Sequence, residues 1–400
     1  MDGRNLLDRW TRGLLSLLAA LAASSASGPC PELADMPALA RGTRVDFSCR
    51  VTANQPVLGF DLPFHSGYSV TVPIGFLAGA SGRLQATLRV TPDATVTKPV
   101  FLTQRFKIPD VPADARGEAI LSGGFDLGVG RYRVDWMIRD ASDRVCSLHW
   151  DVEAKPGRGE HRVRLTLGPN AVSGPEESSA GYDSQTQRDP THQQHIKFLL
   201  NLSPANAGDI LRSADAGVLF SMLIGIAREP GIGRVSLVAF NLREQKIVYQ
   251  QEEADMIDFG ALANALPSSA AGTIDYRLLR DPLSETRFAT KLLTEELGTR
   301  TASPDAIVII GPKVALDRDV PLQSLRAGGT AVCPIFYLNY NSGHAGTLWN
   351  DTIGAALKAY NGAMRYNIVV PRDFGVAVGD ILSRIARRPW SVPSGALLSD

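Results

Sequence analysis

The chain has 400 residues, 44% of them hydrophobic and 20% charged, the make-up of a folded globular protein with room for roughly two to three domains. Lysine plus arginine and aspartate plus glutamate balance at 41 each, so no net field draws the protein to nucleic acid or to an anionic membrane surface. A protein that works through overall charge on a polyanion is thereby excluded.

The N-terminus differs in composition from the rest. Arg4, Arg9 and Arg12 are followed by "GLLSLLAALAASSASG", and a basic start, a short apolar run and then small residues is the order of a secretory signal. Residues 1–28 are expected to be a leader cleaved near Ala26 to Gly28. The apolar run falls short of the ~20 residues that span a bilayer, so no stable membrane insertion is expected after its removal. Export makes the mature protein secreted or periplasmic, where cysteines can pair. Cys49 with Cys146 is the preferred bridge, because both lie in strand-like segments of one domain, and Cys30 with Cys49 is the competing choice. Cys333, in the apolar "TAVCPIFYL", reads as a buried thiol.

Residues 42–168 are a series of short runs of period two, among them "YSVTVPI", "GRLQATLRVT", "PVFLTQRFKI", "GRYRVDWMIRD", "RVCSLHWDVEA" and "HRVRLTLG". Such spacing of β-branched and aromatic strands predicts an all-β sandwich. In the hairpin "GRYRVDWMIRDASDRVCSLHWDVEA", Tyr132, Val134, Trp136 and Ile138 fall on one face and "DASD" is the turn. The opening of that hairpin resembles the late hairpin of immunoglobulin-like and fibronectin-like bacterial modules, a resemblance over about 25 residues that implies a fold and no function. Residues 169–194 are rich in Gly, Ser, Pro, Asn and Gln, and this composition predicts a flexible linker.

Beyond the linker the period changes. "HIKFLLNLS" reads as a buried strand and "NAGDILRSADAGVLFSMLIGIARE" as a helix stopped by "PGIG". "RVSLVAFN" and "KIVYQQE", joined by "LREQ", predict an antiparallel hairpin. "MIDFGALANALP" and "SETRFATKLLTEELG" follow as helices, "DAIVIIGP" and "GTAVCPIFYLNYN" as strands, then "TLWNDTIGAALKAYNG", "MRYNIVV" and "RDFGVAVGDILSRIARR" as helix, strand and helix. Residues 195–388 are therefore expected to form an α/β domain with a doubly wound, mainly parallel sheet, leaving 389–400 as a tail.

This element order is similar to that of the von Willebrand factor A fold, in particular to A-related domains of bacterial exported proteins. The resemblance implies a metal site of three parts at the carboxyl ends of the strands: an Asp-x-Ser-x-Ser turn, a threonine from a later loop and an aspartate after the fourth strand. In "KFLLNLSPANAGD" those first positions hold Asn201, Ser203 and Ala205, so only Ser203 matches. Thr273 is the candidate threonine, with Asp275 beside it, and Gly311 and Pro312, followed by Lys313, stand where the late aspartate belongs. Losing two carboxylates and gaining a lysine removes most of the attraction that offsets dehydration of Mg²⁺. No metal and no cofactor is therefore expected, and the turn reads as a helix cap, with Ser203 or Asn206 capping a helix that begins near Gly208. Asn201, Ser203, Thr273, Asp275 and Lys313 remain candidates for a contact surface, Lys313 suiting a carboxylate or another anion.

Signals for catalysis are sparse. There is no phosphate loop with its lysine, no Cys-x-x-Cys and no His-Glu-x-x-His. His192 and His195 read as part of a solvated tail, His65 and His149 as loop or sheet-surface residues, and "REQK" as a solvated charge run. Tyr340, Asn341, Ser342 and His344 cluster after the fifth strand of the α/β domain and read as a loop. The expected function is non-enzymatic protein binding, of the adhesion type, by an exported protein. Two rivals are a hydrolase with its site at the carboxyl end of the sheet and a structural component of an envelope assembly.

Overall fold

The computed structural model describes residues 20–22, 24–25, 43–78, 83–94, 98–109, 111–112, 114–140, 142–174, 194–205, 211–266, 283–298, 304–327, 333–341 and 350–386. The chain divides into two compact units. The first comprises residues 1–57, 63–155 and 167–181, and the second residues 58–62, 156–166 and 182–400.

In the first unit the described strands form two sheets. One contains β1 (Ala20–Ala22), β3 (Arg50–Leu58), β4 (Phe64–Pro73), β7 (Glu118–Leu127) and β10 (Val172–Ser173), in the order β1-β7-β4-β3 with β10 also on β7. The other contains β2 (Ser24–Ser25), β5 (Arg83–Pro92), β6 (Val100–Lys107), β8 (Gly130–Asp140) and β9 (Val145–Ala154), in the order β2-β6-β5-β8-β9. A short helix, α1 (Ile74–Ala78), follows β4. Alternation along β8 buries Tyr132, Val134, Trp136 and Ile138, while Arg131 and Arg133 are exposed. Tyr68 of β4 packs its ring 5.1 Å from that of Trp136, and its hydroxyl donates to Gln104 Oε1 of β6 at 2.7 Å. Gln104 Nε2 in turn donates to the Gly124 carbonyl at 2.6 Å, so the polar tip of a buried tyrosine is satisfied inside the core.

Cys49 and Cys146 form a disulfide, with their Cα atoms 6.6 Å apart. The bridge ties the stretch before β3 to β9, where Val45 also pairs with Cys146 and Asp46 Oδ2 accepts from the Val145 amide at 3.0 Å. Cys30 lies outside the described residues. Two pieces of the expected leader, β1 and β2, pair with β7 and β6. Cleavage near 26–28 would remove both from these sheets.

The second unit is built on a mixed sheet. Its strands are β11 (Gln194–Asn201), β12 (Ile232–Asn241), β13 (Lys246–Ala254), β14 (Ala306–Pro312), β15 (Ile335–Tyr340) and β16 (Met364–Ile368), in the order β13-β12-β11-β14-β15-β16. Every neighbouring pair is parallel except β12 with β13, which are antiparallel. The described helices are α2 (Ser213–Ala227), α3 (Phe259–Ala265), α4 (Ser284–Leu297), α5 (Leu322–Ala327), α6 (Thr352–Ala356) and α7 (Pro371–Ala386). Both faces of the sheet are covered, by α2, α3 and α7 around Phe198, Leu200, Val308 and Phe336, and by α4, α5 and α6 around Leu199, Val238, Ile309 and Tyr337. That is why β14 reads as an unbroken apolar run rather than an alternating one: residues 306–310 are all buried.

A single boundary at 168 is not how the chain divides. Residues 58–62 and 156–166 belong to the second unit, where Leu62 and Val163 are buried beside α2 and α7. "HRVRLTLG" is accordingly no strand; its first two residues end a 3-10 turn, Glu160–Arg162, and its apolar residues Val163 and Leu165 pack against helices. Two helical glycines make this approach possible. A Cβ on Gly375 would stand 2.5 Å from Val163 Cγ1, and one on Gly225 would stand 3.1 Å from the Phe60 carbonyl oxygen. The expected linker also starts later than 169, because Val172 and Ser173 pair with Leu127 and Asp126 of β7; residues 175–193 lie outside the described residues.

Candidate functional site

Parallel strands all present their carboxyl ends at one edge, and in open sheets of this kind that edge is where ligands meet protein. Here the apolar runs of three strands stop at the same level. Asn201 follows Leu200, which is in register with Ile310, so Asn201 lies beside Gly311; Gly311 is in register with Asn339, and Asn339 with Asn367. Gly311 is required by closeness, since a Cβ there would sit 2.5 Å from Asn201 Cβ and 2.8 Å from its carbonyl oxygen.

Asn201 and Ser203 are both fully buried. Asn201 Oδ1 accepts from the Ser203 amide at 3.0 Å and from the Ser203 hydroxyl at 2.6 Å, and Asn201 Nδ2 donates to the Pro312 carbonyl at 3.2 Å. Ser203 Oγ accepts from the Leu242 amide at 2.7 Å. The pair thus stitches the ends of β11, β12 and β14 together, and its polar atoms point into this knot. The next described helix, α2, begins at Ser213, with Arg212 at its cap position and no side-chain cap bond; the helix start expected near Gly208 lies outside the described residues. Asn206 lies outside the described residues, as do Thr273, Asp275, Ser342 and His344.

Lys313 is half-buried just past β14. Its neighbour in charge is Asp351, whose carboxyl caps α6 through the Gly354 amide at 3.1 Å. Asp351 Oδ1 also accepts from the Tyr337 hydroxyl and Oδ2 from Asn339 Nδ2, each at 3.2 Å, while Arg365 Nη1 is 3.9 Å from Oδ2. Burial pushes this carboxyl above its ordinary value, opposed by the Gly354 and Tyr337 bonds and by Arg365 and Lys313. Asn339 Oδ1 is buried without a hydrogen-bond partner. Tyr340 is directed elsewhere, its hydroxyl 3.4 Å from Asp215 Oδ1, and burial raises its phenol to about 12.

Sequence reasoning missed two groups at this edge. "REQK" is not wholly solvated: the Arg243 side chain is 11% exposed and lies 2.8 Å from Glu285 Oε2. Asp351 carried a usable signal, being an aspartate directly before the helix "TIGAA". His195 is likewise no tail residue. It sits in β11, its amide donating to Asp305 Oδ2 at 2.7 Å and its Nε2 lying 2.9 Å from Ser236 Oγ. In the first unit, His65 is a strand residue of β4 with Nδ1 2.6 Å from Asp126 Oδ1, and His149 of β9 is in register with Asp135.

No protein-family model and no curated protein matches the chain. Among solved structures it is similar to a β-glucosidase from Listeria innocua in complex with glucose, at 11% identity over 27% of this chain and 16% of that one, with a TM-score of 0.16. It is also similar to a β-glucuronidase from Bacteroides uniformis, at 12% identity over 78% and 37% of the two chains and a TM-score of 0.17. A family 39 glycoside hydrolase from Bacteroides cellulosilyticus matches at 9% identity over 79% and 50%, with a TM-score of 0.18. The chain spans half or less of the length of these proteins. At such TM-scores the likeness carries no argument about fold or chemistry.

Proposed function

We propose that this is an exported, non-enzymatic protein-binding module, an immunoglobulin-like sandwich joined to a von Willebrand factor A-like domain, and that the carboxyl edge of the mixed sheet contacts its partner without a metal ion. The strand order with a single antiparallel pair at one end supports the A-like reading. The observation that carries the functional reading is the Asn201–Ser203 knot: the atoms that would have to ligate an ion are hydrogen-bonded to each other, to Pro312 and to Leu242. A fully buried serine whose hydroxyl is so engaged is also poorly placed to be a nucleophile, which favours binding over hydrolysis at this edge. Lys313 supplies the charge that a carboxylate on a partner protein would meet. The disulfide suits an oxidising compartment.

Titration of the full chain with Mg²⁺ by calorimetry tests the metal-free part of this reading. No saturable heat is expected. A saturable heat that Ser203→Ala abolishes would contradict it.

A further inference from the structure

We propose that Arg243 is a built-in cation of this edge: its guanidinium clasps the loops after β11 and β14 to the start of α4, and so keeps the contact face assembled. This clasp deepens the binding reading above and rests on it for the contact role of the face.

Arg243 lies in the turn between β12 and β13. Asn241 Oδ1 accepts from the Arg243 amide at 3.0 Å and the Glu244 amide at 3.2 Å, which fixes the turn and the direction in which residue 243 leaves it. The side chain then runs inward. Nη1 donates to Glu285 Oε2 at 2.8 Å, in the first turn of α4. Nη2 donates to the Ala315 carbonyl, past β14, at 2.7 Å, and to the Ala205 carbonyl, past β11, at 3.4 Å. These oxygens come from segments 42, 72 and 38 residues away in sequence, so one group closes three long loops at once.

The chemistry suits a guanidinium and little else. Its planar fork reaches several acceptors in fixed directions, whereas an ammonium is a point charge on a flexible stem. Arg243 Nε is buried with no acceptor, so the group is held in place although one donor goes unmet. The clasp also adjoins the buried knot directly, since the residue before it is Leu242, whose amide bonds Ser203 Oγ. A fixed positive charge facing converging carbonyl and carboxylate oxygens fills the role that a bound divalent ion could otherwise take, and it repels a second cation.

Hydrogen exchange on the full-length Arg243→Ala variant tests this. The amides of Ser203, Leu242 and Leu316 report, because they bond Asn201 Oδ1, Ser203 Oγ and Thr352 Oγ1. Their exchange is expected to speed up roughly ten- to a hundredfold, as for loss of charge-assisted bonds, while Val145 in the first unit stays unchanged. Millimolar guanidinium chloride should slow exchange back toward the wild-type rate, and sodium chloride at equal ionic strength should not. Unchanged exchange at the three amides, or an increase that guanidinium does not reverse, would overturn the proposal. If Arg243→Ala does not fold, Arg243→Lys carries the test: about tenfold faster exchange at Leu316 is expected, and wild-type rates there overturn it. Partner capture is not read in this experiment, so its outcome is separate from that of the binding reading.

Discussion

The Ser203 hydroxyl donates to Asn201 Oδ1 at 2.6 Å and accepts from the Leu242 amide at 2.7 Å. In Ser203→Ala the Leu242 N–H would be left buried without an acceptor, and Asn201 would lose one of its two donors. The expected loss is about 1–3 kcal/mol of stability, measured by urea unfolding of the full chain. A neutral substitution would mean that the knot is not what joins the strand ends.

The second unit brings together segments that lie far apart in sequence. Gly375→Ala would press a methyl group against Val163 and is expected to destabilise by about 1–3 kcal/mol. Val163→Ala opens space at that contact, so the double variant should lose less than the two single effects added together. Strict additivity in the double-mutant cycle would contradict the packing described.

His195 makes stability depend on pH. Burial is the main cause that holds its imidazole below the ordinary 6.5, against the pull of Glu253, Asp305 and Glu252, with Arg234 acting in the same direction as burial. A histidine depressed in the fold favours the neutral form there, so its contribution is present above about 6.5 and is lost as pH falls through that value toward the lower folded one. His195→Gln, which can still bond Ser236, should flatten the fall in stability that sets in below about pH 6.5. An unchanged profile would assign the titration to another group.

The two described kinds of cysteine should differ in reactivity. Reducing Cys49–Cys146, which closes a separation of 97 residues, is expected to cost the protein about 2–5 kcal/mol. Cys333 is buried, with burial raising its thiol to about 12, so an alkylating reagent should label it only after unfolding. Rapid labelling in the native state would contradict that environment.

Much of the strand pattern was legible because burial leaves a period. Alternation in "GRYRVDWMIRD" marks a strand with one face inward, and the continuous "AIVII" marks one covered on both faces. "HRVRLTLG" alternates too, yet its Val163 is buried and its Leu165 partly buried among helices of the second unit, to which both residues belong, a demand that period alone cannot distinguish from a sheet. The site was half legible for a similar reason. Asn201, Ser203 and Lys313 stand out against an apolar strand end, and Asp351 by its place before a helix. Arg243 did not, because "LREQ" has the composition of a solvated turn and only the loops converging from 205, 285 and 315 make its burial worthwhile.

We propose that the Lys313-bearing edge binds a protein partner without a metal ion. Immobilised full-length wild type and Lys313→Glu, each exposed to the same cell-envelope extract with Mg²⁺ and again with chelator, test it most directly. A saturable set of proteins retained by wild type under both conditions and lost from Lys313→Glu is expected. Capture that requires Mg²⁺, or equal capture by Lys313→Glu, would contradict it.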